Sequence, residues 1–324
     1  MDRRTATGMA MMDLQGLVQP GQGETPCREW TSTGGKALLV RMASGPRPAG
    51  REPRGTSVLK RQTREQDVRL RQELERAARI QRSLLPDVSR PVGQFGLTSL
   101  YWPCEALGGD FFDLARRPDR AVLLVSDVMG HGVEAALITM LVKAAFQEAA
   151  ETTGAPGEVL RQMSARLRRM LPSGVFVAAA AARLGLEGSE IRLANAGLPH
   201  PFLLHANERR VEEVRLDGRP LGLLDGQGED LHPVRGVRLE PGDVLLLSSD
   251  GIGCIRSAFG QCFEDCRLRQ VLDEVAGQEG RNVIERLAAQ AVDFGRGRPL
   301  PDDVNLVAVS RNGREAENRC SRVA

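Results

Sequence analysis

The residues that could do chemistry in this chain are mainly acidic. Four short elements set carboxylates beside glycine-rich or polar turns: Gly108-Gly109-Asp110-Phe111-Phe112-Asp113, Ser126-Asp127-Val128-Met129-Gly130-His131-Gly132, Ser249-Asp250-Gly251, and the pair Asp302-Asp303. Each adjoins an apolar run, so each puts a carboxylate where a buried strand meets a turn. Side chains far apart in sequence can then converge at one end of a sheet. Hard divalent cations take oxygen ligands, and carboxylates gathered without enough Arg or Lys need a cation to offset their repulsion. Such a cluster would hold Mg²⁺ or Mn²⁺. Taken singly, an Asp after a strand is also a common turn former or helix cap. The metal reading therefore rests on the four elements together.

The other reactive side chains offer less. Six cysteines are scattered (Cys27, Cys104, Cys254, Cys262, Cys266, Cys320) with no C-x-x-C pair. Cys262 and Cys266, with Cys254 nearby, lack a histidine or a fourth cysteine at zinc-site spacing, so reduced structural thiols are expected. The sequence has no Cys-x5-Arg phosphate loop and no G-x-S-x-G elbow, and a covalent cysteinyl or seryl route has no support. His131 has two readings: a proton donor or water-orienting group at the site, or a polar residue in the turn that starts a helix.

The elements that must position these carboxylates can be read from periodicity. Ala121–Ser126, Asp243–Ser248 and Val304–Ser310 are near-continuous apolar runs and read as buried strands; Val175–Leu184, Ile191–Ala194, Pro199–Leu204 and Glu212–Leu216 read as further strands. Helices are expected at Val133–Ala150, Gly157–Met170 and Arg281–Phe294. The first is apolar almost all round and is expected to lie buried between other layers. Before Pro86, Leu70, Leu74, Ala77, Gln81 and Leu84 recur at helical steps in a stretch free of Gly and Pro. Residues 58–86 are therefore expected to form an amphipathic helical linker or a short coiled coil.

Residues 1–57 hold 9 Gly and 5 Pro but only six Leu and Val, too little apolar material to offset the entropy of ordering. They are read as a disordered or weakly ordered tail. Two alternatives stay open: a docking segment at Leu38-Leu39-Val40, or translation that begins downstream, as at Met42. Residues 312–324 form a polar tail, which leaves one main domain over 87–311.

At 324 residues, with 41% hydrophobic and 27% charged, the chain has the profile of a globular protein with a full core. No apolar run approaches the roughly 18 residues of a membrane span, and no signal-peptide segment is evident, so a cytoplasmic protein is expected. Outside residues 1–84, 28 Lys and Arg stand against 33 Asp and Glu, which argues against a nucleic-acid footprint.

In order along the chain, the helical lead-in Ala77–Pro86, GGDFFD, SDVMGHGVEAAL, the Ala194-Asn195-Ala196-Gly197 turn, Gly218-Arg219-Pro220-Leu221-Gly222-Leu223, GDVLLLSSDG and the Asp-Asp pair resemble the SpoIIE-type branch of the metal-dependent (PPM, type 2C) protein serine/threonine phosphatases. The resemblance implies an α-β-β-α sandwich of two mainly antiparallel sheets flanked by helices, with two metal ions at one end. It implies Asp110 and Asp127 as ligands of the paired centre, the Val128 carbonyl as a main-chain ligand, and Asp250 and Asp302 as the remaining carboxylates. Asp303 is left between direct ligand and supporting group. The implied reaction is hydrolysis of phosphoserine or phosphothreonine by a metal-activated water, on a phosphorylated anti-sigma-factor antagonist in bacterial partner switching. A homodimer through residues 58–86 is a further expectation. Two other readings stay open: a non-catalytic phosphoprotein-binding module, and a two-metal hydrolase of a small phosphoester. Asn305, Leu198 and Gly253-Cys254 depart from the family pattern without removing a carboxylate.

Overall fold

The computed structural model describes residues 54–223 and 231–311. Of the expected tail at 1–57, residues 1–53 lie outside the described residues and 54–57 are instead the first turn of a helix; the expected tail at 312–324 also lies outside. Ten strands form two five-stranded sheets, and every paired strand is antiparallel. One sheet runs in the order β1 (Phe95–Trp102), β10 (Val304–Arg311), β9 (Val244–Ser248), β6 (Phe202–His205) and β7 (Arg210–Glu213). The other runs β2 (Asp110–Arg116), β3 (Arg120–Val128), β4 (Val177–Gly185), β5 (Glu190–Ala196) and β8 (Arg235–Arg238).

The central strands are apolar on both faces because both faces are covered. In β3, Ala121, Leu123 and Val125 pack between the sheets, while Val122, Leu124 and Val128 pack against helices α2 (Gly132–Thr152) and α3 (Pro156–Leu167). In β10, Val307 and Val309 enter the layer between the sheets, and Val304, Leu306 and Ala308 face α5 (Arg269–Val275) and α6 (Gly280–Gly295). The period of two along a strand thus explains the near-continuous apolar runs. The result is the expected α-β-β-α sandwich.

Helix α1 (Arg54–Ser83) precedes the sandwich. Its last turns lean on the domain: Ala78 is buried with Leu107 and Ala136, and Leu74 and Ala77 pack beside them. Leu70 and Val68, farther from the domain, are exposed. The expected stripe is therefore covered by the domain only toward its C-terminal end.

Two expectations need correction. Helix α2 is an outer layer: its Ala135, Thr139, Val142 and Phe146 are buried, but Val133 and Leu137 are exposed, Leu137 by 67%. A helix in an outside layer has neighbours on one side and leaves the rest to water, however apolar its sequence. The strand expected at Glu212–Leu216 is β7 at Arg210–Glu213; Val214 and Leu216 are buried beyond its end, with the Val214 N–H bound to the Pro201 carbonyl. Strands β1, β2 and β8, helix α5, the π-helical turn Glu264–Leu268 that leads into it, and the short helix α4 (Gly251–Cys254) were not delimited from sequence. Among the described residues no helix is long and apolar enough to cross a membrane.

Candidate metal centre

The first residue of β2 and the penultimate residue of β3 are aspartates, and the antiparallel register sets Asp110 directly opposite Asp127. Alternation along β2 sends Asp110 to the same face as Phe112 and Leu114, into the layer between the sheets. Asp113 takes the opposite face, where its carboxylate accepts from Lys143 Nζ at 2.8 Å and Gln147 Nε2 at 2.6 Å on α2. The second aspartate of GGDFFD is therefore an anchor for α2 and stands outside the cluster.

The other sheet supplies its carboxylates from the same end. Asp250 follows β9 and opens α4, and Asp302 and Asp303 precede β10, which pairs with β9. This crossing is tight: a side chain on Gly251 would begin 1.8 Å from the Asp303 carbonyl oxygen, so only glycine fits there. On the opposite wall, the loop after β3 turns through Gly130 at φ +92° to reach α2, a conformation that favours glycine. The Val128 carbonyl oxygen faces the Gly109 turn, 2.9 Å from where a Gly109 side chain would start.

The Asp110–Asp127 register and the hydrogen bonds from Ser249 to Asp110 and from Gly109 to Asp303 bring the two groups of aspartates to one end of the sandwich, where each acts on the charge of the others. Burial pushes Asp110 well above the usual carboxylate range, and Asp127 beside it adds to the shift, while the hydrogen bond from Ser249 opposes it. Burial also pushes Asp127 up to about 7, with Asp250, Asp302 and Asp303 each contributing. Asp250 is raised by burial and by Asp302. The charges that act most strongly on all three are other carboxylates. Oxygen donors crowded in this way fit a hard divalent cation, which would relieve the repulsion.

Hydrogen bonds divide the adjacent pair. Asp303 is buried, and its Oδ2 accepts the Gly109 N–H at 2.6 Å and the Asp110 N–H at 3.4 Å, while its Oδ1 accepts the Cys104 N–H at 2.7 Å. It thereby ties the Gly-Gly-Asp turn to β10. Asp302, half-buried, accepts the Asp303 N–H at 2.8 Å through Oδ1. Cys104 lies beside the pair, its sulfur within 4.8 Å of a carboxylate oxygen from each. Burial and Asp303 push its thiol up to about 12, so it is a neutral neighbour at physiological pH.

Two further residues support the cluster. Ser249 Oγ donates to Asp110 Oδ2 at 2.6 Å and accepts the Asn305 N–H at 3.0 Å, and so bridges the sheets. Gln81 on α1 donates through Nε2 to the Gly108 carbonyl at 2.7 Å and to Thr139 at 3.3 Å. Its Oε1 accepts the Gly108 N–H and the Tyr101 hydroxyl, both at 3.2 Å. Ser249 stands inside the SSDG run, but only the sandwich shows what it touches; Gln81 reads in sequence as one more helix-stripe position. His131 is at the N-cap of α2, exposed, with Nδ1 3.0 Å from Glu105.

The sequence model of the family described as Stage II sporulation protein E (SpoIIE) matches residues 117–312. Phosphoserine phosphatase RsbU of Bacillus subtilis is 23% identical over 248 residues, 75% of this chain and 71% of that protein. Phosphoserine phosphatase RsbP of the same organism is 26% identical over 192 residues, 56% of this chain but 45% of that longer protein. Among solved structures, the SiaA-PP2C domain of Pseudomonas aeruginosa superposes with a TM-score of 0.67 at 27% identity, covering 75% of this chain and 97% of that domain.

Proposed function

The chain belongs to the SpoIIE family of type 2C phosphatases, and on that premise we propose that it is a Mg²⁺- or Mn²⁺-dependent protein serine/threonine phosphatase acting on a phosphorylated anti-sigma-factor antagonist. The observation that carries the reading is geometric: Asp110 stands opposite Asp127 at the end of one sheet, and Asp250 and Asp302 stand at the paired ends of β9 and β10 in the other, tied to it through Ser249 and Asp303. Asp110, Asp127, the Val128 carbonyl, Asp250 and Asp302 would hold two ions. When bound, such ions supply a water of lowered pKa and positive charge for the phosphoryl oxygens.

The protein's own part is positional. Ser249 holds the Asp110 carboxylate in one orientation, and Asp303 holds the turn that presents it. We assign Asp303 this positioning role and Asp302 the direct one, since both oxygens of Asp303 are already engaged by backbone N–H groups. The site opens at the surface, with Asp250 exposed and Asp127 and Asp302 half-buried. An open rim suits a phosphorylated side chain on a protein better than a small phosphoester that must be enclosed to be recognised. The names of RsbU and RsbP, which specify phosphoserine phosphatases, support the same substrate class.

The test is phosphate release from phosphoserine-containing antagonist proteins with Mn²⁺ and with chelator. Turnover with Mn²⁺ that stops in chelator is expected. Undiminished turnover in chelator would sink the two-metal reading, and stoichiometric binding without release would establish the non-catalytic module instead.

A further inference from the structure

We propose that an apolar groove beside the metal centre is the docking site for the polypeptide flanking the phosphorylated residue, and that it takes an apolar side chain on its floor and an acidic one at its lip. The proposal rests on the phosphatase reading above. The groove, of about 340 Å³, is lined by Trp102, Ile255, Val292 and Leu300, with Arg256 and Arg298 exposed along it and no carboxylate in its lining.

Its walls are continuous with the site. Trp102 ends β1 and pairs with Val304; the nearby Cys104 N–H is bound to Asp303. Pro301 lines the groove and is the chain neighbour of Asp302. Ile255 closes α4, the helix that Asp250 opens. Adjacent residues of an extended peptide are roughly 3.5 Å apart along the chain. A serine phosphate seated at the carboxylates therefore brings the next few residues of its own chain to this groove.

Charge selects the occupant. Arg256 Nη1 donates to the Gly260 carbonyl at 3.2 Å, and Arg298 donates to the carbonyls of Ser257 at 2.7 Å and Ala258 at 3.4 Å. Neither arginine has a carboxylate partner among the described residues, and a guanidinium with five N–H donors retains several for an incoming acid. The same hydrogen bonds brace the turn 257–260, in which the Ser257 hydroxyl accepts the N–H groups of Phe259 and Gln261. At its tip Phe259 is 88% exposed, and it adds aromatic surface for a partner to cover.

The experiment uses fluorescein-labelled peptides that carry the non-hydrolysable phosphonate analogue of phosphoserine, with Leu and Asp moved through the flanking positions, and reads binding by anisotropy with Mn²⁺. The best Leu- and Asp-containing peptide is expected to bind about tenfold tighter than its Ser-substituted form, the scale of one charge-assisted hydrogen bond. Arg298→Glu should remove that preference, and exchanging Asp for Lys in the peptide should restore it. Leu300→Ser should erase the preference for Leu alone. Arg256→Glu gives an independent charge variant, and thermal unfolding of each variant verifies the fold. Equal binding across the peptide set, or loss in Arg298→Glu that the Lys peptide does not recover, would overturn the proposal. Phosphate release from ordinary phosphopeptides is scored separately. Its absence beside a clear peptide preference would count against the catalytic reading and leave the groove standing.

Discussion

At the scale of single residues, the cluster separates groups that would touch a cation from groups that hold them. Asp127→Asn and Asp250→Asn keep shape but remove an anionic oxygen, so kcat is expected to fall by at least about 10²-fold with the circular dichroism unchanged. Near wild-type rates in both would refute the ligand assignment. Ser249→Ala leaves every proposed ligand in place but frees the Asp110 carboxylate from the Ser249 hydroxyl. Removal of a supporting partner of this kind costs about 10-fold or more in metal affinity, so the Mn²⁺ concentration for half-maximal rate should rise by that factor while kcat at saturating Mn²⁺ changes less. Asp303 is different again, because its carboxylate satisfies three backbone N–H groups in a buried turn. Asp303→Ala is expected to lower stability by about 3 kcal/mol, measured by urea unfolding. An unchanged midpoint would show that the turn holds itself.

At the scale of elements, α1 is joined to the site through the side chain of Gln81. Gln81 bridges the Gly108 backbone, Tyr101 on β1 and Thr139 on α2, so the helix that carries it is coupled to the turn presenting Asp110. Gln81→Leu keeps the volume but strands the Gly108 backbone groups and the Tyr101 hydroxyl. The expected outcome is a lower Mn²⁺ affinity together with a lower melting temperature. A melting temperature that falls with Mn²⁺ dependence unmoved would mark Gln81 as structural only. Val68 and Leu70 on the outer turns of α1 are exposed, and an expected homodimer through residues 58–86 would have to bury them. Val68→Ser with Leu70→Ser is expected to lower the mass seen in sedimentation if a second copy covers them. Leu74→Ser, where α1 packs on the domain, is expected to raise the Mn²⁺ concentration for half-maximal rate. No change in either would leave α1 a passive lead-in.

At the scale of the whole molecule, the centre sits where two sheets come together, and its carboxylates oppose the packing that gathers them. Burial and mutual repulsion raise Asp110 and Asp127, which means that the folded chain alone disfavours their charged forms. Mn²⁺ binding to the folded state only should therefore raise the melting temperature by several degrees, in a concentration-dependent way, and chelator should reverse it. In chelator, Asp127→Asn is expected to melt higher than the wild-type chain, since it removes one of the repelling charges while abolishing activity. A variant that melts lower in chelator would show that the carboxylates already stabilise one another without a cation.

In the sequence alone, the acidic elements at strand ends and most of the strands that carry them were legible. Aspartates at strand ends could be read because strand and turn are local, and runs such as Ala121–Ser126 and Val304–Ser310 were legible because a strand covered on both faces is apolar at every position. The ordered motifs carried the family and the sandwich it implies. Tertiary structure decided what depends on contacts between distant segments. The register of β2 on β3 set Asp110 against Asp127, and strand alternation sent Asp113 away to Lys143. The backbone N–H groups of Gly109, Asp110 and Cys104 engaged Asp303, while Asp302 accepts the neighbouring Asp303 N–H. Helix α2 reads as a buried helix from its composition, yet among the described residues no further layer covers Leu137, which is exposed. Ser249 and Gln81 are ordinary residues in the sequence; their role comes from hydrogen bonds to partners 139 and 27 positions away, which no local pattern encodes.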